Sequence, residues 1–434
     1  MNAAANLAQD KMGAKPTATA NQDSQNKSEK RTMKACVWHG KEKVALENVP
    51  VPQITDPQDA LIKVTGTTVC GSDLHLYHGE ILQLKDGDIL GHELMGIVDQ
   101  VGEDVTAVKP GDRVVAAFNI ACGSCEYCKK KLYTSCEVTN DSSVEEKLYG
   151  QKTGGIMGYS HFVGGFAGGQ AEYTRIPFAN NNLIKVPDSV IDEKALFLSD
   201  IVCTAYHAVW DAGCSEGETV GVWGAGPIGL HVVQWLRNVF KAKRIILVDN
   251  VEARLHLAQQ RWGAEPVNFD EISNVSEHVN KIVPGGLDRV IDCAGFRYTK
   301  SIVHKVERAV GLETDASDII NECLRSVRKF GTIGIIADYA GYTNHFLIGA
   351  LMEKGIRLIG CGQAPIQRHW HECLKHIQDG TFDPTVILTH RFNLDSIAEV
   401  YKRFDEKDAG MMKVFIATKF SNPPSEGMPQ LQDA

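Results

Sequence analysis

The sequence predicts an α/β protein of two domains, a small β-barrel unit joined to a doubly wound parallel sheet. Three observations predict it. At 434 residues the chain exceeds the size at which one hydrophobic core stops growing. From Met33 it runs in short β-rich segments (KACVWHG, VALENVPVP, ALIKVTGTTVC, MGIVDQVG, RVVAAF, AEYTRIP) separated by Pro and Asp turn signals. After Leu196 the pattern changes to strands alternating with helices, opened by a glycine triplet between an apolar strand and an apolar helix.

Bulk properties exclude several classes. Apolar residues make up 43% and charged residues 23%, which suits a globular protein and not a disordered one. A net charge of -9 with no basic cluster argues against a nucleic-acid partner. The longest apolar run, Val220 to Leu236, is broken by glycines, His231 and Gln234, so no membrane span is expected. Twelve cysteines, no apolar signal segment and the spacing of a metal site point to a reducing, cytoplasmic setting. Residues 1–32 hold little to bury and read as a disordered tail, and residues 421–434 as a flexible one.

The first domain carries the chemistry-bearing stretch CGSDLHLYHGEILQLKDGDILGHE, Cys70 to Glu93. Cys70 and His92 have the character of metal ligands, with Ser72, Asp73, His75 and Glu93 as support. A catalytic zinc takes three protein ligands and keeps one position open, so a third ligand must come from elsewhere. Next come Cys122, Cys125, Cys128 and Cys136, four thiols in one short lobe that fit a closed, structural tetrahedral zinc site. The glycine-rich segment 150–169 reads either as a loop over the site, with Tyr159 and His161 as pocket candidates, or as a connector.

In the second domain ETVGVWGAGPIGLHVVQWLRNV reads as strand, tight turn and helix. Gly224, Gly226 and Gly229 form the GxGxxG of a dinucleotide-binding Rossmann turn. The first glycine permits the bend, the second lets the backbone approach a pyrophosphate, and the third packs helix on strand. Pro227 and Ile228 open the helix whose N-terminus faces the phosphate charge. The next strand, RIILVD, ends at Asp249, twenty residues past Gly229, where a carboxylate can accept from both ribose hydroxyls and would repel a 2′-phosphate. NAD is therefore expected over NADP. Arg254 joins the candidate cofactor residues. Asp292 ends a later strand, either near the cofactor or as a plain cap.

These motifs, with LSDIVCTAYHA from Leu198 to Ala208, resemble in family order the zinc-containing medium-chain alcohol dehydrogenases. Within them the chain is most similar to the glutathione-independent formaldehyde dehydrogenase-like branch. The resemblance covers residue 33 to about 420 and implies a GroES-like catalytic domain, 33–202 completed by 363–420, and a Rossmann NAD-binding domain, 203–362. It implies two zinc ions per chain. It also implies Asp200, in preference to Cys203, as the third catalytic ligand, because that branch carries aspartate four positions before the Thr of its T-A/G-Y segment. By the same resemblance Ser72 takes the substrate proton, His75 passes it toward solvent, Asp73 orients His92, and Glu93 stands behind the metal. Gly71 replaces an arginine that contacts pyrophosphate in some members, which shifts phosphate binding to the helix N-terminus and to Lys413.

The expected reaction is hydride transfer between an alcohol or aldehyde hydrate, with formaldehyde or another small alcohol as substrate, and NAD. A secondary-alcohol or polyol dehydrogenase and an aldehyde dismutase with retained NAD are the rivals. A dinucleotide-binding protein without turnover fits least, having no need of the ligand and relay set. A homodimer or homotetramer is implied by the resemblance alone.

Overall fold

The computed structural model describes residues 31–295, 314–339, 341–406 and 410–433. The expected N-terminal tail therefore lies, up to residue 30, outside the described residues. The chain divides into two compact units. One comprises Met1–Asp200, Pro365–Gln378 and Asp383–Ala434, the other Ile201–Ala364 and Asp379–Phe382.

The first unit is built on a seven-stranded sheet. Its order is Leu388–Asn393, Lys413–Ala417, Ala60–Thr67, Leu94–Val101, Arg113–Ala116, Leu183–Lys185, with Tyr173–Ile176 also pairing Ala60–Thr67. The β-branched inward positions of these strands fill one core around Ile62, Val64, Val98, Val114 and Ile176. A second core, with Trp38, Leu76, Phe392, Tyr401 and Val414, lies under the helix Gly71–Tyr77. Seven residues are too few for a helix to persist on propensity alone, so tertiary packing must hold it. Leu76 is fully buried, a contribution of about 1.5–3 kcal/mol, and Trp38 Nε1 donates to the Leu76 carbonyl at 3.1 Å. That anchoring fixes the helix bearing Ser72, Asp73 and His75.

The second unit carries a six-stranded sheet in the order Glu265–Asn268, Arg244–Asp249, Thr219–Trp223, Leu287–Asp292, Val327–Ile335, Arg357–Gly360, every neighbouring pair parallel. The order reverses direction at Thr219–Trp223, as a doubly wound sheet requires, and this strand runs into the helix Pro227–Asn238. Arg357–Gly360 forms one edge.

Two stretches depart from the sequence reading. Residues 379–382 belong to the second unit, because Phe382 stacks on Trp235 with centroids 3.8 Å apart and Asn238 Nδ2 donates to the Thr381 carbonyl at 2.8 Å. Residues 421–433, expected to be loose, are tied down. Arg391 is buried and donates to Glu193 Oε1 at 2.6 Å and to the Asn422 carbonyl at 2.7 Å. Ser425 donates to Glu193 from its amide at 3.0 Å and its hydroxyl at 2.8 Å, and the Gln432 amide to the Arg391 carbonyl at 2.9 Å. A buried ion pair must have its remaining lone pairs filled, and the tail supplies the donors.

Candidate active site

Cys70 precedes the helix Gly71–Tyr77 and His92 precedes the strand Leu94–Val101, so two rigid elements present them. Asp73 connects the two. Its Oδ2 accepts from the Cys70 amide at 2.8 Å, and its Oδ1 lies 3.0 Å from His92 Nδ1. The first contact closes the helix N-terminus, the usual task of an acidic residue at that position. The second makes Nδ1 the donor nitrogen and leaves the Nε2 lone pair to face outward.

Around that lone pair three other groups converge. Nε2 is 3.5 Å from Asp200 Oδ2 and 3.7 Å from Glu93 Oε1, and the ligand atoms of Cys70, His92 and Glu93 lie within 4.8 Å of one another. Asp200 stands between the turn Leu196–Ser199 and the helix Ile201–Asp211. Glu93, expected behind the metal, is fully buried and its Oε2 has no hydrogen-bond partner among the described residues. Burial pushes its carboxyl above the ordinary range. Burial alone would lower His92, yet Asp73, Asp200 and Cys70 outweigh it and hold the imidazole well above its usual value. An imidazole, a thiol and carboxylates gathered at one point form a mixed donor set that suits Zn2+.

Lys413 corrects an expectation. It does not serve a phosphate site: its side chain is 1% exposed in the barrel unit and its ammonium is spent on Glu93 Oε1. Burial works against that charge, but Cys70, Glu93 and Asp200 raise its pKa regardless. The strand Lys413–Ala417 runs two places from Leu94–Val101 in the sheet, which is why a residue 320 positions away reaches Glu93.

The glycine-rich segment proves to be a packed wall. A Cβ at Gly158 would meet the Gly91 carbonyl at 2.4 Å, and one at Gly168 the Leu90 carbonyl at 2.2 Å, so backbone lies directly on backbone beside His92. Tyr159 sits edge-on to His92 with centroids 6.3 Å apart, and Phe118, which the sequence did not mark, does so at 6.4 Å. His161 instead pairs with Asp88 at 3.1 Å. Gln170 was also unmarked; it donates to the Thr68 carbonyl at 3.0 Å and accepts from Tyr401 at 2.9 Å. Its place directly after the Gly168 and Gly169 pair was the available signal.

Ser72 and His75, three apart on the helix, share one face, with Ser72 half-buried and His75 buried. His75 Nδ1 lies 2.8 Å from Glu80 Oε2.

The Cys122, Cys125, Cys128 and Cys136 sulfurs all lie within 4.8 Å of one another, with Cys122 to Cys128 and Cys125 to Cys136 both 4.0 Å. Tetrahedral zinc with bonds of about 2.3 Å places its sulfurs roughly 3.8 Å apart. All four are free cysteines. Burial disfavours the Cys122 thiolate, but the Ser124 and Cys125 amides, at 3.4 and 3.3 Å, bring its pKa down to about 6.

In the second unit Gly224 has φ +95°, and a Cβ at Gly229 would stand 1.8 Å from the Gly224 carbonyl. At Gly226, which caps the helix, a Cβ would meet nothing within 4 Å, and backbone amides stay approachable by an anion. Pro227 and Ile228 form the first turn. Asp249 Oδ2 accepts from the Ala225 amide at 2.6 Å, so strand end and glycine turn are fastened together. Its Oδ1 accepts from the Asn250 and Val251 amides, both at 2.8 Å. Arg254 is half-buried in the first turn of the helix Glu252–Trp262. Asp292 is fully buried and accepts from Tyr339 at 2.8 Å and from the Ala294 and Gly295 amides at 2.9 and 3.2 Å.

A parallel sheet with a dinucleotide turn, an all-cysteine lobe and a mixed Cys, His and carboxylate cluster define the class: a zinc-type, nicotinamide-linked dehydrogenase. Comparison with known proteins agrees. Residues 56–188 match the alcohol dehydrogenase GroES-like domain. A zinc-type alcohol dehydrogenase-like protein of Schizosaccharomyces pombe is 42% identical over 385 residues, 88% of this chain and 90% of the relative. A glutathione-independent formaldehyde dehydrogenase of Pseudomonas aeruginosa is 28% identical over 88% of this chain and 96% of its own. Among solved structures, the alcohol dehydrogenase of Thermus sp. ATN1 superposes with a TM-score of 0.76 at 32% identity, covering 89% of this chain and all of that one. The chain belongs to the zinc-type alcohol dehydrogenase-like family and is an oxidoreductase. No described helix is long and apolar enough to cross a membrane.

Proposed function

We propose that the chain oxidises a small primary alcohol or aldehyde hydrate, and catalyses the reverse reduction, with NAD as partner. The observation that carries this reading is the convergence of Cys70, Asp200 and Glu93 on His92, with Asp200 Oδ2 and Glu93 Oε1 at 3.5 and 3.7 Å from Nε2. Cys70, His92 and Asp200 would hold the catalytic zinc and the four-cysteine lobe a second one; bound there, the metal supplies Lewis acidity toward the substrate oxygen, and NAD accepts the hydride. Asp73 fixes both first ligands from one carboxylate. Ser72 takes the hydroxyl proton and His75 carries it outward. Asp249, held by the Ala225 amide, accepts from the adenosine ribose and excludes a 2′-phosphate. Similarity to a relative named a glutathione-independent formaldehyde dehydrogenase supports a short substrate for this chain.

A panel of formaldehyde and primary, secondary and polyol alcohols, each with NAD and NADP, tests the reading. The highest kcat/KM is expected with NAD and a short primary substrate, and a preference for NADP would remove the role given to Asp249. Metal analysis is expected to give two zinc ions per chain, falling to one in His92→Ala and Asp200→Ala. Retention of both ions by Asp200→Ala would pass the third-ligand role to Glu93.

A further inference from the structure

We propose that Asp292 and Tyr339 are positioning residues for the nicotinamide half of the cofactor, acting through the backbone of residues 293–295 and 336–339. This rests on the NAD reading above and extends it to the side of the glycine turn away from Asp249. The strand Thr219–Trp223 has a neighbour on either side, Arg244–Asp249 and Leu287–Asp292, and both end in aspartate. The sheet reverses its order here, and a dinucleotide lies over the carboxyl ends of the strands at such a switch point, one mononucleotide half to each side. The glycine turn and Asp249 serve the adenosine half, which leaves the ends of Leu287–Asp292 and Val327–Ile335 to the nicotinamide half.

A plain strand cap would need only the amides that follow it. Asp292 has those, its Oδ1 accepting from Ala294 at 2.9 Å and from Gly295 at 3.2 Å. Its Oδ2 reaches further, to the hydroxyl of Tyr339, which donates at 2.8 Å from the loop after the next strand, 47 positions on. The Asp292 carbonyl accepts from the Ile336 and Ala337 amides, both at 3.0 Å, so one fully buried residue joins two loops. The loops also meet directly: a Cβ at Gly295, φ +76°, would stand 3.2 Å from the Asp338 carbonyl and 3.3 Å from Ala337 Cβ. On the other side the Cys293 amide donates to the Trp223 carbonyl at 2.8 Å, and a Cβ at Gly224 would stand 3.0 Å from the Cys293 carbonyl. The floor is therefore continuous from the glycine turn through 293–295 to 336–339, with glycine wherever two backbones press together. Burial pushes the Asp292 carboxyl up, and the Ala294, Tyr339 and Gly295 donors work against that. Losing one of them would leave a buried oxygen unsatisfied, which keeps the two loops together.

Tyr339→Phe removes the donor to Oδ2 and keeps the ring. Binding to the zinc-loaded full-length protein is measured for NADH, by its nicotinamide fluorescence, and for ADP-ribose, which lacks the nicotinamide, by calorimetry. Tyr339→Phe is expected to weaken NADH about five- to tenfold, the size of one buried hydrogen bond, and ADP-ribose by less than about twofold. Asp249→Asn, on the adenosine side, should weaken both ligands alike. Asp292→Asn keeps an acceptor for the two amides and a donor toward the Tyr339 oxygen, and is expected to bind NADH within about twofold of the unmodified protein. Equal loss of both ligands in Tyr339→Phe, or a deficit in Asp292→Asn as large as in Tyr339→Phe, would overturn the proposal. If the unmodified protein binds NADH and Tyr339→Phe binds it equally well, only the extension fails, and Asp292 is a plain cap. If the unmodified protein binds neither NADH nor ADP-ribose, the nucleotide reading fails and takes the proposal with it.

Discussion

The two clusters of ligand-type side chains are built on opposite plans. Cys122, Cys125, Cys128 and Cys136 fall within fifteen residues, present four chemically equal sulfurs, and take their support from neighbouring amides. Cys70, His92, Glu93 and Asp200 span 131 positions, mix three donor types, and depend on Asp73 and Lys413 for orientation and charge balance. A closed site can be written locally because nothing beyond the sulfurs is needed. An open one must keep unlike donors aimed at a shared point without filling it, and that takes tertiary structure.

Substitutions should separate these plans, beginning with the largest effect. Cys128→Ser in the lobe removes a ligand from a site of a kind worth about 10–16 kcal/mol in small zinc domains, comparable to the whole stability of an ordinary fold. Loss of soluble protein, or a large fall in melting temperature together with one zinc, is the expected outcome. A variant that melts normally and keeps its zinc count would show that the lobe is not held by metal. Lys413→Met leaves the buried Glu93 carboxylate without its counter-charge, a change expected to cost about 3–5 kcal/mol in urea unfolding. The double variant Lys413→Met with Glu93→Gln should recover most of that, and failure to recover would mean that packing, not charge, is what the lysine supplies. Asp73→Asn is the mildest. Zinc affinity at the open site is expected to fall about 10–100-fold, by dialysis against a chelator, with the lobe zinc untouched. Equal loss from both sites would contradict their independence.

Much of this was legible without coordinates, for reasons that differ by residue. The lobe shows in spacing, and the glycine turn in its strand and helix context, since both are local. Cys70 and His92 were visible as candidates only, and Asp200 needed family resemblance, because no spacing ties residue 200 to residue 70. Asp73 was legible as the partner of His92 only through the family resemblance, and its two oxygens serve both that ring and the Cys70 amide. Lys413 was misread since a lysine near a chain end usually faces water, and only the sheet order brings it under Glu93. The C-terminal segment misled through its Pro, Ser and Gln composition, which says nothing of a buried Arg391 waiting for its carbonyls.

The placement of residues 379–382 bears on how the chain could be cut. A fragment ending at Ala364 would hold every strand of the parallel sheet, yet Trp235 would lose the ring of Phe382, itself fully shielded from solvent, and Asn238 its carbonyl. The nucleotide unit borrows a four-residue plug from a later part of the polypeptide, so a tidy division at the linker would yield a module with an open seam.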